Sequence, residues 1–129
     1  MGDVNLNAKN GGKNDARLVG WLVSYGLDSK GAAFEIRAGR LFVSSAASSD
    51  VRTIEISENS VSAPHLAVSA STKHQVLIQD IFSEHGTYIT KFGTDKEQKI
   101  SGPTTLNHGD WLRVGEKTKF QVCLIDSGK

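Results

Sequence analysis

Between Leu66 and Ala70, the residues Leu66, Val68 and Ala70 alternate with Ala67 and Ser69. Between Gln75 and Asp80, Val76 and Ile78 alternate with Leu77 and Gln79. A two-residue period is the signature of a half-buried strand, whereas a helix repeats its apolar positions every three or four residues. The two runs therefore predict an antiparallel hairpin. A polar cluster, Ser60-Val61-Ser62-Ala63-Pro64-His65, precedes it, and a second, Ser83-Glu84-His85-Gly86-Thr87, follows. An antiparallel pair returns the chain to the end where it began, so the two clusters are expected side by side at one end of a sheet. Hydroxyl- and imidazole-bearing loops on a rigid scaffold form a common kind of binding site.

The rest of the chain repeats this alternation. LVGWLVSY, from Leu18, reads as a strand, and GLDSKG as a turn with glycine at both ends. AFEIRAGRLFV gives two short runs broken at Ala38-Gly39, Ser44 to Asp50 is a small polar loop, and Thr53 to Ile56 is a short strand. Tyr88 and Ile89 continue the pattern, Lys91 to Pro103 reads as a long polar hairpin, and Leu106 to Asp110 as a turn. Trp111 to Val114 and Lys119 to Ile125 are the last strands. No window carries helical periodicity, and turn signals recur roughly every ten residues, so an all-β sandwich or barrel is expected. The expected core is Leu18, Trp21, Val23, Phe34, Ile36, Ile54, Ile56, Leu66, Val68, Val76, Ile78, Trp111, Phe120, Val122 and Leu124.

Composition narrows the class. The chain has 129 residues, 38% hydrophobic and 22% charged, enough for one core. Residues 1–17, rich in Asn, Gly and Lys, read as a flexible tail, 18–125 as the folded domain, and 126–129 as a short C-terminal tail. A net charge of +1 offers no basic excess for nucleic acid or an anionic membrane. No apolar run approaches a membrane span, and no apolar segment near the N-terminus resembles a signal peptide, so membrane insertion is not expected and the reading is a cytoplasmic protein. The one cysteine, Cys123, excludes an internal disulfide framework and a cysteine-built zinc site. No GxSxG elbow, HExxH pair or glycine-rich strand-to-helix turn is present. The reading is therefore a protein that is not an enzyme, with no catalytic residue, no metal site and no cofactor.

Four sets of residues, in order, complete the pattern: Gly39-Arg40; Ile54-Glu55-Ile56 followed by Val61-Ser62-Ala63-Pro64-His65; Asp80 followed by Ser83-Glu84-His85-Gly86-Thr87; and Leu106, Gly109-Asp110 and Val114-Gly115. Together they resemble a forkhead-associated (FHA) domain over about Leu18 to Ile125, and the opening LVGWLVSY…FEIRAGR looks most like bacterial members. The resemblance implies an antiparallel β-sandwich of about eleven strands, with phosphothreonine-binding loops at one end. It also implies a phosphothreonine-containing protein or peptide as partner, in Ser/Thr-kinase signalling.

Site residues carry over one at a time. Arg40 matches the family's phosphate-binding arginine, whose planar fork suits phosphate oxygens. Ser62 matches the serine that donates its hydroxyl to the same phosphate. His65 matches a structural histidine bracing the two loops, and Gly39, Gly86 and Thr87 match turn residues that shape the site. Ala63, Glu84, His85 and Thr90 stand at positions of the family's peptide-binding set. Glu84 and His85 replace a small polar residue and an asparagine there, and Thr90 a common asparagine. These replacements keep a second reading open, a phosphate-independent docking or scaffold domain on the same fold. Either reading is compatible with fusion to a larger signalling protein.

Overall fold

The alternating runs assemble into eleven strands in the computed structural model, which describes residues 16–48 and 50–128. In chain order they are β1 (Leu18–Ser24), β2 (Ala32–Arg37), β3 (Gly39–Ser44), β4 (Arg52–Glu55), β5 (Leu66–Ala70), β6 (Val76–Asp80), β7 (Thr87–Thr90), β8 (Glu97–Lys99), β9 (Thr104–Leu106), β10 (Trp111–Val114) and β11 (Thr118–Leu124). They form two sheets, one of six strands in the order β2-β1-β11-β10-β7-β8 and one of five in the order β4-β3-β5-β6-β9. All recorded pairings are antiparallel except β3 with β4. No described segment forms a helix long and apolar enough to cross a membrane. The expected tail of residues 1–17 lies outside the described residues up to position 15. Arg17 joins the sheet framework, its carbonyl accepting the Ala38 amide.

The expected hairpin is present as β5 and β6, in the register Leu66↔Asp80 to Ala70↔Val76. Leu66, Val68, Val76 and Ile78 point inward, where Leu22, Ile36, Leu41, Val43, Leu112, Val114 and Phe120 meet them. Phe34 packs edge-on against Phe120, with ring centroids 6.0 Å apart. The segment read as a long hairpin after Lys91 contributes one short strand, β8, against β7, and then β9 against β6, so it bridges the two sheets.

Four expected core residues face outward instead. Leu18, Trp21 and Val23 are half-exposed, because the inward positions of β1 are Val19, Gly20, Leu22 and Ser24. The run is apolar on both faces, so alternation does not fix its phase. A register shift between Leu18 and Gly20 against β2 sets it. Trp111 is 40% exposed. It shares its face of β10 with Arg113, and turning Trp111 inward would bury a guanidinium in the core, a far larger penalty than exposing an indole. Leu112 and Val114 fill the inward positions.

Candidate functional site

The sequence-expected juxtaposition of the two polar clusters is realised through one buried histidine. His65 is fully buried. Its Nδ1 accepts the Ser62 amide at 3.0 Å, which leaves Nε2 to donate to the Gly86 carbonyl at 2.8 Å. The neutral ring thus ties the loop before β5 to the loop before β7. Burial pushes the His65 pKa below its ordinary value, outweighing the Gly86 hydrogen bond and the nearby Asp80 carboxylate. A third connection runs directly between the loops, the Glu84 amide donating to the Ser62 hydroxyl oxygen at 3.0 Å.

Asp80 holds the second loop in shape. Its carboxylate accepts the Ser83 amide at 2.8 Å, the Ser83 hydroxyl at 2.6 Å and the buried Thr87 hydroxyl at 2.6 Å. Burial alone would raise the Asp80 pKa. The hydrogen bonds from Ser83 and Thr87, with a smaller attraction from His65, outweigh it and hold the carboxyl below the usual range. The Ser83 hydroxyl also accepts the Gly86 amide. Gly86 has φ +85, a left-handed conformation that side chains disfavour. Its carbonyl receives the Gly115 amide, which brings the β10–β11 turn to the same apex.

That turn adds Glu116 and Lys117, which were not singled out from sequence. Gly115 has φ +70 and lies so close to Ser60 that a Cβ there would meet the Ser60 hydroxyl oxygen at 2.6 Å. The Ser60 hydroxyl accepts the Glu116 amide at 2.7 Å and donates to Glu58. The Ser60 amide does most to hold the Glu58 carboxyl below its ordinary pKa. A cavity of about 410 Å³ opens here, lined by Glu58, Ser60, His85, Glu116 and Lys117 among others. His85 lies between two carboxylates, 3.6 Å from Glu116 and 4.0 Å from Glu84. Glu58 and Glu116 were unreadable as site residues because they join the apex through the close approach of two turns distant in sequence, whereas Ser60 opens the first polar cluster.

The structure brings Ser62, Ala63, His65, Glu84, His85, Gly86 and Thr87 to one apex, with the exposed Ala63 joined to Pro64 by a cis peptide bond. It does not bring Gly39, Arg40 or Thr90 there. Arg40 is the second residue of β3 and pairs with Ser69, near the far end of β5. The loop that does lie against Ser62 begins five residues later, where the Ser45 amide donates to the Ser62 carbonyl. Five residues of strand span about 16 Å. Between Ser45 and Asp50 the sequence contains no arginine or lysine. Adjacent Gly-Arg letters matched the family's pair, but β-pairing decides which end of a strand they occupy. Thr90 ends β7 away from the apex and pairs with Trp111 and Glu97. Among the described residues no group of three or more His, Cys, Asp or Glu side chains is placed to hold a metal ion.

Solved structures with the same fold include the FHA domain of the CT664 protein from Chlamydia trachomatis. It is 26% identical, with 82% of this chain and 96% of that one covered and a TM-score of 0.65. EmbR of Mycobacterium tuberculosis, solved with a low-affinity phosphopeptide, is 19% identical over 84% of this chain and 25% of that one, with a TM-score of 0.65. The FHA domain of human APLF, solved with an XRCC1 bisphospho peptide, is 14% identical over 84% and 99%, also with a TM-score of 0.65. No curated protein is a significant match by sequence. The family described as FHA domain matches residues 36–115, more than half of the chain, and the chain belongs to that family.

Proposed function

We propose that the domain is a protein-recognition module that engages a peptide segment of its partner through the apical loops, by a mode that does not depend on phosphate. The observation that carries this reading is the charge of the apex. Glu84 and Glu116 flank His85, and Glu58 and Glu116 line the cavity beside it together with Lys117, while the Lys99 side chain packs against Gly86. A phosphate within 4 Å of one carboxylate would meet about 1 kcal/mol of repulsion per unit charge in water and roughly 4 near a protein surface. A hydrogen bond from Ser62 to a charged group contributes only about 1.5–3 kcal/mol. Repulsion from a single carboxylate at that distance is therefore of the same order as what that hydroxyl supplies. A neutral or cationic peptide suits the site better.

A second reading, phosphothreonine recognition in kinase signalling, is favoured by the braced Ser62 loop and by the phosphopeptide complexes of EmbR and APLF. Calorimetric titration with a phosphothreonine peptide library and its unphosphorylated counterpart separates the two. The proposal expects binders whose affinity is unchanged or weakened by phosphorylation and lowered in Glu84→Gln/Glu116→Gln. Binding seen only for phosphorylated peptides, and strengthened in that variant, would establish the second reading instead.

A further inference from the structure

The outer face of the five-stranded sheet carries residues that neither the core nor the apex uses. The inward positions of β3, β5 and β6 include Leu41, Val43, Leu66, Val68, Val76 and Ile78, so the residues alternating with them point away from the core. The register sets these in cross-strand rows, Phe42 beside Ala67 beside Gln79, and Arg40 beside Ser69 beside Leu77. A cleft of about 480 Å³ opens over them, with Phe82 and Pro103 also on its wall. It shares no lining residue with the apical cavity. We infer that this face is a second docking surface, for a partner-protein segment that seats a large apolar side chain among Phe42, Leu77 and Phe82 and sets a carboxylate on Arg40. The inference is independent of what the apex recognises.

Phe82 costs the fold more than it contributes. It is 100% exposed, and its backbone has φ +49, a left-handed conformation that a bulky side chain adopts only where its surroundings impose it. The turn on either side imposes it, the Ile81 amide donating to the His65 carbonyl and the Ser83 amide to the Asp80 carboxylate. Asn or glycine would meet that backbone with less strain and no exposed ring. Strain and exposure kept together at one residue point to a contact made outside the chain. Leu77, 47% exposed, and the half-buried Phe42 line the same cleft. Charge selects the occupant. Arg40 is exposed and has no hydrogen-bond acceptor or ion-pair partner among the described residues. Asp80 is the carboxylate on the cleft wall, and its oxygens are taken by Ser83 and Thr87. A second copy meeting this face by two-fold symmetry would oppose the patch to itself, bringing in two guanidiniums and no free carboxylate. A partner carrying its own Asp or Glu supplies what the patch lacks. Arg40 and Leu77 lie two strands apart, about 10 Å, which roughly three residues of extended chain span. The matching motif is Asp or Glu three residues from Phe or Leu.

The test is an unphosphorylated peptide library with that motif fixed and its other positions random, screened on the full chain against a control library with Ser at both fixed positions. The strongest binder is then titrated by fluorescence anisotropy and mapped by NMR at the backbone amides. Expected are saturable binding and shifts at Phe42, Ala67, Leu77 and Phe82, weakened about tenfold by Arg40→Gln through the loss of a charged hydrogen bond. Leu77→Lys should weaken binding at least as much. Phe82→Asn should weaken it while the denaturation midpoint stays at or above that of the unaltered chain, which separates a binding role from a structural one. Glu84→Gln/Glu116→Gln should leave it unchanged. Equal binding of the control library, shifts confined to the apical loops, or affinity indifferent to Leu77→Lys and Phe82→Asn overturn the inference. So does self-association in sedimentation equilibrium that Leu77→Lys abolishes, which would assign the face to a second copy of the chain.

Discussion

At the scale of single residues, Asp80 and His65 set the acid sensitivity of the apex. Asp80 has a depressed pKa in the folded state, so the stability it contributes is present above its unfolded pKa of about 3.9 and is lost as pH falls through the folded value. His65 is also depressed, so the unfolded chain binds its proton first. Stability is then complete above about 6.5 and declines as pH drops from there toward the folded pKa. Denaturation midpoints should accordingly fall between pH 7 and 5.5, and fall again below pH 4. In His65→Gln the first decline should vanish. A variant retaining the wild-type slope between pH 7 and 5.5 would show that another group titrates there. A residue-scale gain of function also follows from the position of Ser45, whose amide contacts the Ser62 carbonyl. Ser45→Arg sets a fork beside Ser62 and should raise affinity for phosphothreonine peptides about tenfold, the equivalent of about 1.4 kcal/mol. Arg40→Gln should leave apical peptide binding unaltered, and isothermal titration of both variants checks the pair.

At the scale of elements, the apex depends on three turns locking together, and Gly115 is where two of them touch. Gly115→Ala must place a methyl against the Ser60 hydroxyl and carbonyl in a left-handed backbone, costing about 1–2 kcal/mol for the conformation alone and more for the clash. The expected result is a lowered denaturation midpoint together with faster hydrogen exchange at the Ser60 and Glu116 amides. Unchanged exchange at those amides would mean the turns move independently. The same elements explain what could be read in advance. The β5–β6 hairpin was legible because strict alternation fixes both its existence and its phase, and His65, Gly86 and Thr87 were legible as its frame. β1 was legible as a strand but not in phase, since its apolar residues occupy both faces and a register shift chooses between them. Arg40 was legible as a cation beside a glycine. Its distance from Ser62 was not, because that depends on the pairing of β3 with β5, which no local pattern encodes.

At the scale of the whole molecule, a net charge of +1 conceals an uneven distribution along β3, with Glu58, Glu116 and Lys117 at the apex and Arg37, Arg40 and Arg52 with Asp50 about its other end. The fold keeps these regions apart and closes its remaining edge with another histidine. His74 lies in the β5–β6 turn with φ +65 and is buried. Its Nε2 accepts the Arg17 Nε–H at 2.6 Å, so Nδ1 carries the proton donated to the Ile125 carbonyl at 2.6 Å. One turn therefore clasps the chain just before β1 and just after β11, the two strands paired through Gly20↔Leu124. His74→Asn removes the clasp while keeping a residue type that tolerates the left-handed backbone. Losing one buried partner of such bonds costs about 1–3 kcal/mol. Exchange should accelerate at the Val19 and Ile125 amides, while the apical amides of Ser62 and Glu84, anchored through His65, keep their protection. Uniform acceleration across both regions would instead mean that the clasp acts on global stability alone, and that the termini and the apex open as a single unit.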